Sequence, residues 1–302
     1  MLCDFARNML FLFLDNYSIT FMKIGNYELT SIETGTFALD GGAMFGVVPW
    51  FFWSKTNPPD ERNCVKLAAR CLLLRGEGRT ILIDTGNGSK WNDKLKNIYQ
   101  LDNSKFTLEN SLANVGVHSN DVTDVILTHL HFDHAGGCTK YVDGKLEPTF
   151  PNATHYVQEA HWELALNPTE RDRASFMKED FMLLHERGLL KFTEGEQEIF
   201  PGISLLVCNG HTMAQQLPVI TDGKNTLIFI CDLVPTVSHI TPAYLPAYDV
   251  RPLVTIEEKK KILSRVAEEN WIVFLEHDVD TEAITVQKTE KGFSIKEKLV
   301  LR

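Results

Sequence analysis

The densest run of chemistry-bearing side chains is Thr128-His129-Leu130-His131-Phe132-Asp133-His134. It packs three imidazoles and one carboxylate into six residues. Imidazole nitrogen and carboxylate oxygen are ligands that zinc, manganese, iron and cobalt accept. In extended backbone, side chains two apart point the same way, so His129 and His131 can chelate one ion. Asp133 and His134 follow and can turn toward a second. Further ligand types stand at the ends of apolar runs. His211 lies in Asn209-Gly210-His211-Thr212 after the run Ile203–Cys208, Asp232 follows the run 227–231, and His277 follows the run 271–276. Ligands collected from strand ends onto one rim make a precise site.

The elements that must position these groups follow from pattern. The apolar run 122–127 reads as a buried strand feeding the histidine motif. Residues 27–32 read as a strand. Residues 64–74 and 80–83 flank Arg75-Gly76-Glu77-Gly78 as a hairpin. Leu108, Leu112 and Val115 recur at helical spacing, and Gly116 stops that helix. Residues 156–166 and 169–188 read as helices. Thr255-Ile256-Glu257-Glu258 is a capping box, and Ile262, Leu263 and Val266 give its helix an apolar face. Strands precede helices twice over, with no clear linker. The expectation is two sheet-plus-helix layers packed together, α+β or α/β.

Composition sets the limits. The chain has 302 residues, 44% hydrophobic and 23% charged, which excludes disordered, collagen-like and coiled-coil classes. No apolar run approaches the roughly 18 residues that span a bilayer, so no membrane partner is expected. Lys+Arg total 30 against Asp+Glu 40, a formal net charge of -10. That sign argues against nucleic acid as a general partner. The six cysteines form no C-x-x-C pair and read as free thiols in a reducing compartment, the cytoplasm. Met9 to Leu14 reads MLFLFL, too short for a signal-peptide core and with no cleavage site after it. Strand-like alternation opens at Met22. Residues 1–21 are therefore expected to be an extension outside the fold, and 22–302 a single domain.

The set His129-x-His131-x-Asp133-His134, then His211, Asp232 and His277, resembles the metallo-β-lactamase superfamily of dinuclear hydrolases. Leu82-Ile83-Asp84-Thr85-Gly86 is similar to the family's strand-end aspartate. The segment from Asp40 to Pro49 resembles the branch of quorum-quenching lactonases and methyl-parathion-hydrolase-like enzymes. The resemblance implies a four-layer αβ/βα sandwich, two mixed β-sheets flanked by helices. It implies two divalent cations, zinc first, with manganese, iron or cobalt accepted by the same ligands. His129, His131 and His211 would hold the first, and Asp133, His134 and His277 the second. Asp232 would bridge them, and Asp84 would orient a ligand histidine. A hydroxide bridging two such ions is a nucleophile at neutral pH. Asp133 and Asp232 are the expected catalytic carboxylates, with Asp133 also passing a proton to the leaving group.

The expected activity is hydrolysis of a lactone or related ester, of the N-acyl homoserine lactone kind. A phosphotriesterase or phosphodiesterase on the same ions, and a low-turnover metal-binding sensor, are the alternatives. Arg and Lys near the metals would favour phosphate, and an apolar tunnel would favour lactone. Phe45, Trp50, Phe51, Tyr244 and Tyr248 are the expected pocket residues. An exposed aromatic segment there would also suit a homodimer. Cys231 reads as a core thiol on the face opposite Asp232. The family's Gly-His-Thr-Pro-Gly-His is here Gly210-His211-Thr212-Met213-Ala214-Gln215, so the ligand is kept and the substrate preference is left open.

Overall fold

The structure is a computed structural model, and it describes residues 22–301. The expected extension 1–21, with its apolar run and Cys3, lies outside the described residues. The first half of the chain runs β1 (Met22–Ile24), β2 (Tyr27–Asp40), α1 (Gly41–Phe45), α2 (Trp50–Trp53), β3 (Cys64–Gly76), β4 (Arg79–Ile83), α3 (Asp93–Tyr99), α4 (Leu108–Asn114) and β5 (Asp124–Ile126). It continues through α5 (Phe132–Ala135), a small hairpin β6 (Thr139–Val142) and β7 (Lys145–Pro148), β8 (Thr154–Gln158), α6 (Glu159–Leu166), α7 (Lys178–Glu186) and β9 (Leu190–Thr193). The second half runs β10 (Gln197–Phe200), β11 (Ile203–Cys208), β12 (Gln215–Thr221), β13 (Thr226–Phe229), α8 (Pro252–Glu268), β14 (Ile272–Phe274), β15 (Ala283–Thr289) and β16 (Gly292–Leu299).

Two seven-stranded sheets result, ordered β1-β2-β3-β4-β5-β8-β9 and β10 through β16 in sequence. Both are mixed. In the first, β4, β5, β8 and β9 run parallel, and in the second β13 and β14 do. The strand period of two sorts the side chains. Leu72, Leu74, Ile81, Ile83 and Ile126 pack inward against the second sheet. Cys71, Leu73, Leu82, Val125 and Leu127 face outward against α4, α6 and α7 through Leu112, Trp162 and Phe181. Helix α8 covers the far side of the second sheet with Ile262, Leu263 and Val266. The layers are helix, sheet, sheet, helix, as expected, and the class is α+β.

Three local expectations change. Residues 156–158 are strand, because Tyr156 pairs in parallel with β5 and all three pair in parallel with β9, and tertiary pairing overrides the helical pattern. The helix expected over 169–188 is confined to Lys178–Glu186, since the Thr169 hydroxyl donates to Asp172 at 2.6 Å and closes a local turn instead. The capping box is not one. Helix α8 starts a turn earlier, with proline in its first turn, which frees Glu258 for another task.

Candidate metal centre

The parallel strands β4 and β5 end side by side, and their ends are tied together. Asp84 follows β4 with φ +57°, and its carboxylate accepts from the Thr128 backbone N–H at 2.7 Å and the Thr128 hydroxyl at 2.6 Å. Thr85 ties the other side, donating from its backbone N–H (2.7 Å) and hydroxyl (2.8 Å) to the His134 carbonyl. Phe132 anchors the turn between them. Its ring packs on Tyr99 at 4.8 Å and Trp91 at 5.2 Å. His161, unassigned from sequence, joins two loops. Its Nε2 accepts the Leu130 N–H and its Nδ1 donates to the Met213 carbonyl, both at 2.8 Å. Burial pushes its pKa down to about 4, so it is neutral, as this bonding requires.

The other ligands are seated as firmly. Glu258 on α8 accepts the Asn209 and Gly210 N–H groups at 2.7 and 3.0 Å. Asp249 accepts from His211 Nδ1 at 3.0 Å. His277 Nδ1 donates to the Ala68 carbonyl on β3 at 2.8 Å. Asp232 sits in a short 3₁₀ turn entered through Cys231, whose φ of +50° is a strained conformation for a non-glycine residue.

Two ligand sets converge on Asp232. In the first, His131 Nδ1 lies 3.0 Å from His129 Nε2 and 3.2 Å from His211 Nε2. Asp232 Oδ2 closes this set at 3.1 Å from His211 Nε2 and 3.7 Å from His129 Nε2. In the second, His134 Nε2 lies 3.3 Å from His277 Nε2 and 3.7 Å from Asp133 Oδ1. Asp232 reaches this set too, with Oδ1 3.1 Å from His277 Nε2 and Oδ2 3.4 Å from His134 Nε2. A tetrahedral ion with bonds of about 2.0–2.1 Å has ligand–ligand edges of about 3.3–3.4 Å. The observed edges match that size, and the donor types fit a divalent cation.

The electrostatics divide the two sets. Burial pulls His129 and His131 well below the usual histidine range, so both rings are neutral, the form a metal accepts. Burial opposes charge on His277 as well, but Asp232 and Glu276 outweigh it and raise its pKa to about 9. Burial alone would raise Asp232, yet His211, His134 and His277 hold it well below the carboxylate range.

The metallo-β-lactamase superfamily model matches residues 66–277, which include every ligand named above. The chain belongs to the metallo-β-lactamase superfamily. It is 30% identical to N-acyl homoserine lactonase AiiA of Bacillus thuringiensis subsp. kurstaki over 228 residues, 72% of this chain and 84% of that one. A solved probable metal-dependent hydrolase from Staphylococcus aureus superposes with a TM-score of 0.84 at 28% identity, covering 93% of this chain and 99% of that one. An N-acyl homoserine lactone hydrolase, solved with N-hexanoyl-L-homoserine at its catalytic metal centre, has a TM-score of 0.66 at 25% identity, covering 86% and 95%. Like these relatives, the chain is an enzyme of the metallohydrolase class, and divalent metal ions belong to its site.

Within that superfamily frame, all seven expected ligands come together, and Asp84 stands behind His134 at 3.0 Å from Nδ1. The expected pocket fares differently. Phe45 is fully buried, stacked between Trp53 at 5.0 Å and His239 at 4.8 Å, so it is core and cannot line a pocket. Trp50 and Phe51 are 58% and 60% exposed, and their ring partners are Trp53 and Phe52. Tyr244 packs edge-on to Phe45 at 6.2 Å. Only Tyr248 reaches the ligands, edge-on to His211 at 5.7 Å. Phe176 at 4.9 Å from His131 and Phe37 at 5.5 Å from His277 complete the aromatic surround, and neither was expected. Cys231 is a buried thiol, but it points at the histidines, with Sγ 3.7 Å from the Nδ1 atoms of both His129 and His134. Glu276 is also buried, 3.1 Å from His134 Nδ1. A carboxylate inside an otherwise apolar run was the sequence signal for it.

Proposed function

We propose that this enzyme hydrolyses N-acyl homoserine lactones or closely related esters with two divalent cations, zinc first. His129, His131, His211 and Asp232 would hold one cation, and Asp133, His134, His277 and Asp232 the other. The observation that carries this reading is the shared carboxylate, since Asp232 stands within 3.1–3.7 Å of the inner nitrogens of four histidines. Bound cations supply a nucleophile from water at neutral pH and polarise the substrate carbonyl. The lactonase relatives support the lactone as substrate.

The chain's own groups do the rest. Asp232, held ionised by its histidines, balances the charge of the cations. Asp133 lies near the surface of the site, 8% exposed, and a carboxylate oxygen there can take a proton from water and return it to the leaving alkoxide. Burial, with Asp232 and Asp133 nearby, raises the Tyr248 pKa well above the usual phenol range, so its hydroxyl remains a donor. That hydroxyl rests on the Met44 sulfur at 3.2 Å, a weak acceptor, which leaves it free to turn to a substrate oxygen. Phe176 and the Tyr248 ring shield the ligands from water.

Among the described residues, no Lys or Arg side chain hydrogen-bonds or ion-pairs with any of the seven ligands, which favours an uncharged substrate such as a lactone over an anionic phosphodiester. The complete ligand set favours turnover over sensing. The five described cysteines are all free, which supports the cytoplasm as the enzyme's place. No described helix is long and apolar enough to cross a membrane. The test is a side-by-side assay of the metal-loaded protein on lactones of graded acyl length and on a phosphotriester and a phosphodiester. A higher kcat/KM on lactones is expected. Preference for either phosphoester would overturn the substrate assignment while leaving the metal site intact.

A further inference from the structure

Each ligand imidazole has an outer nitrogen that faces the protein, and those surroundings are unequal. His129 Nδ1 meets the neutral Thr128 hydroxyl at 3.0 Å. His131 Nε2 meets no partner, and His211 Nδ1 meets one carboxylate, Asp249. His134 Nδ1 meets two. Asp84 Oδ2 is 3.0 Å away and Glu276 Oε2 is 3.1 Å away. Asp84 is also bonded twice by Thr128. Glu276 is fully buried, and neither of its oxygens has a hydrogen-bond partner. A buried carboxylate left without partners is costly, so it is held there for what it faces.

We infer that Glu276 is a positioning residue whose carboxylate, paired with Asp84 on the outer nitrogen of His134, makes the Asp133–His134–His277 site the tighter of the two metal sites. This rests on the two-metal reading above. The His134 Nδ1 proton goes to Asp84, and the Glu276 carboxylate stands 3.1 Å from the same nitrogen without a hydrogen bond of its own. Carboxylates on the outer nitrogen fix the tautomer, so Nε2 presents its lone pair to the ion, and they raise the basicity of that lone pair. No histidine of the other set has two. The Glu276 carboxyl oxygen behind the ring, 3.1 Å from Nδ1, also favours a cation in front of it. The chain places this group through its order alone. Glu276 and His277 are neighbours after β14, and both reach the His134 ring, one at each nitrogen.

The experiment loads the full chain with cobalt or zinc, counts the ions, and removes them with a chromophoric chelator. Wild type and Glu276→Gln are compared, and the amide keeps the volume while removing the carboxyl group. Wild type is expected to release two ions in two separated steps. In Glu276→Gln the tighter step should loosen by about 10–100-fold, the usual cost of losing an outer-shell partner, while the weaker step stays. Glu276→Asp, which keeps the carboxyl group, should recover part of the tight step. The metal-free variant should melt no lower than metal-free wild type, because an amide of the same volume replaces a buried carboxyl group that has no hydrogen-bond partner. Unchanged release in Glu276→Gln would overturn the inference. So would equal loosening of both steps with a lower metal-free melting temperature, since that marks a packing role. Three ions in wild type and two in the variant would overturn it by making Glu276 a direct ligand. A single ion in wild type would overturn the two-metal reading itself.

Discussion

The groups just outside the ligand set govern how well it works. Asp249→Asn keeps the shape beside His211 but presents an uncharged amide to Nδ1. It is expected to lower metal affinity about 10–100-fold, read by chelator competition, with little change in the fold seen by circular dichroism. A second residue-level effect lies away from the ions. His155 is buried, neither ring nitrogen has a partner, and burial pushes its pKa down to about 4. The unfolded chain, with a histidine pKa near 6.5, takes up that proton first as pH falls. The stabilisation is therefore complete above about pH 6.5 and is lost on the way down to pH 4, at about 1.4 kcal/mol per pH unit. Urea midpoints between pH 7 and 4.5 should fall, and His155→Leu should flatten that fall. The residues that converge at the site were legible in the sequence because their types and spacing carry the chemistry. Their outer partners were not. Asp84 reaches His134 from 50 residues away, and His161 reaches Leu130 from 31. Only the fold makes such pairs neighbours.

At the level of elements, helix α8 acts as a brace for the His211 loop. Its Glu258 holds two loop amides, and its start passes so near Gly210 that an added Cβ would lie 2.4 Å from the Thr255 nitrogen and hydroxyl. Gly210→Ala must therefore push α8 or the loop aside. The expected loss is about 1–3 kcal/mol of stability, with activity falling further than stability because His211 moves too. Thermal melts and kcat/KM on the same preparation check this. The strands were legible where alternation sorts two buried faces, as in β3, β4 and β5. The helical readings at 156–158 and 169–177 failed for different reasons. At the first, two parallel neighbours outbid a helical pattern. At the second, a Thr169–Asp172 side-chain bond closed a turn. The capping box misled because Glu258 serves a distant loop, not its own helix.

Over the whole molecule, each sheet contributes the ends of a parallel pair, β4 with β5 and β13 with β14, to one edge. Ligands separated by up to 148 residues, His129 and His277, meet there without any of them lying within a strand. The layer order was legible from the resemblance and from the alternation of strands and helices. The pocket was not, because burial decides it. Phe45 has the right chemistry for an acyl chain but is shut inside a third core with Phe37, Met44 and Trp53. The central claim is that lactone opening occurs at this shared-carboxylate metal site. It is tested most directly by acid release from N-hexanoyl-L-homoserine lactone, comparing metal-loaded wild type with His129→Ala at equal protein and with bound metal counted in both. Turnover by wild type, two ions per chain, and at least about a thousandfold loss in the variant are expected. No turnover by wild type with both ions present, or turnover that His129→Ala leaves intact, would contradict it.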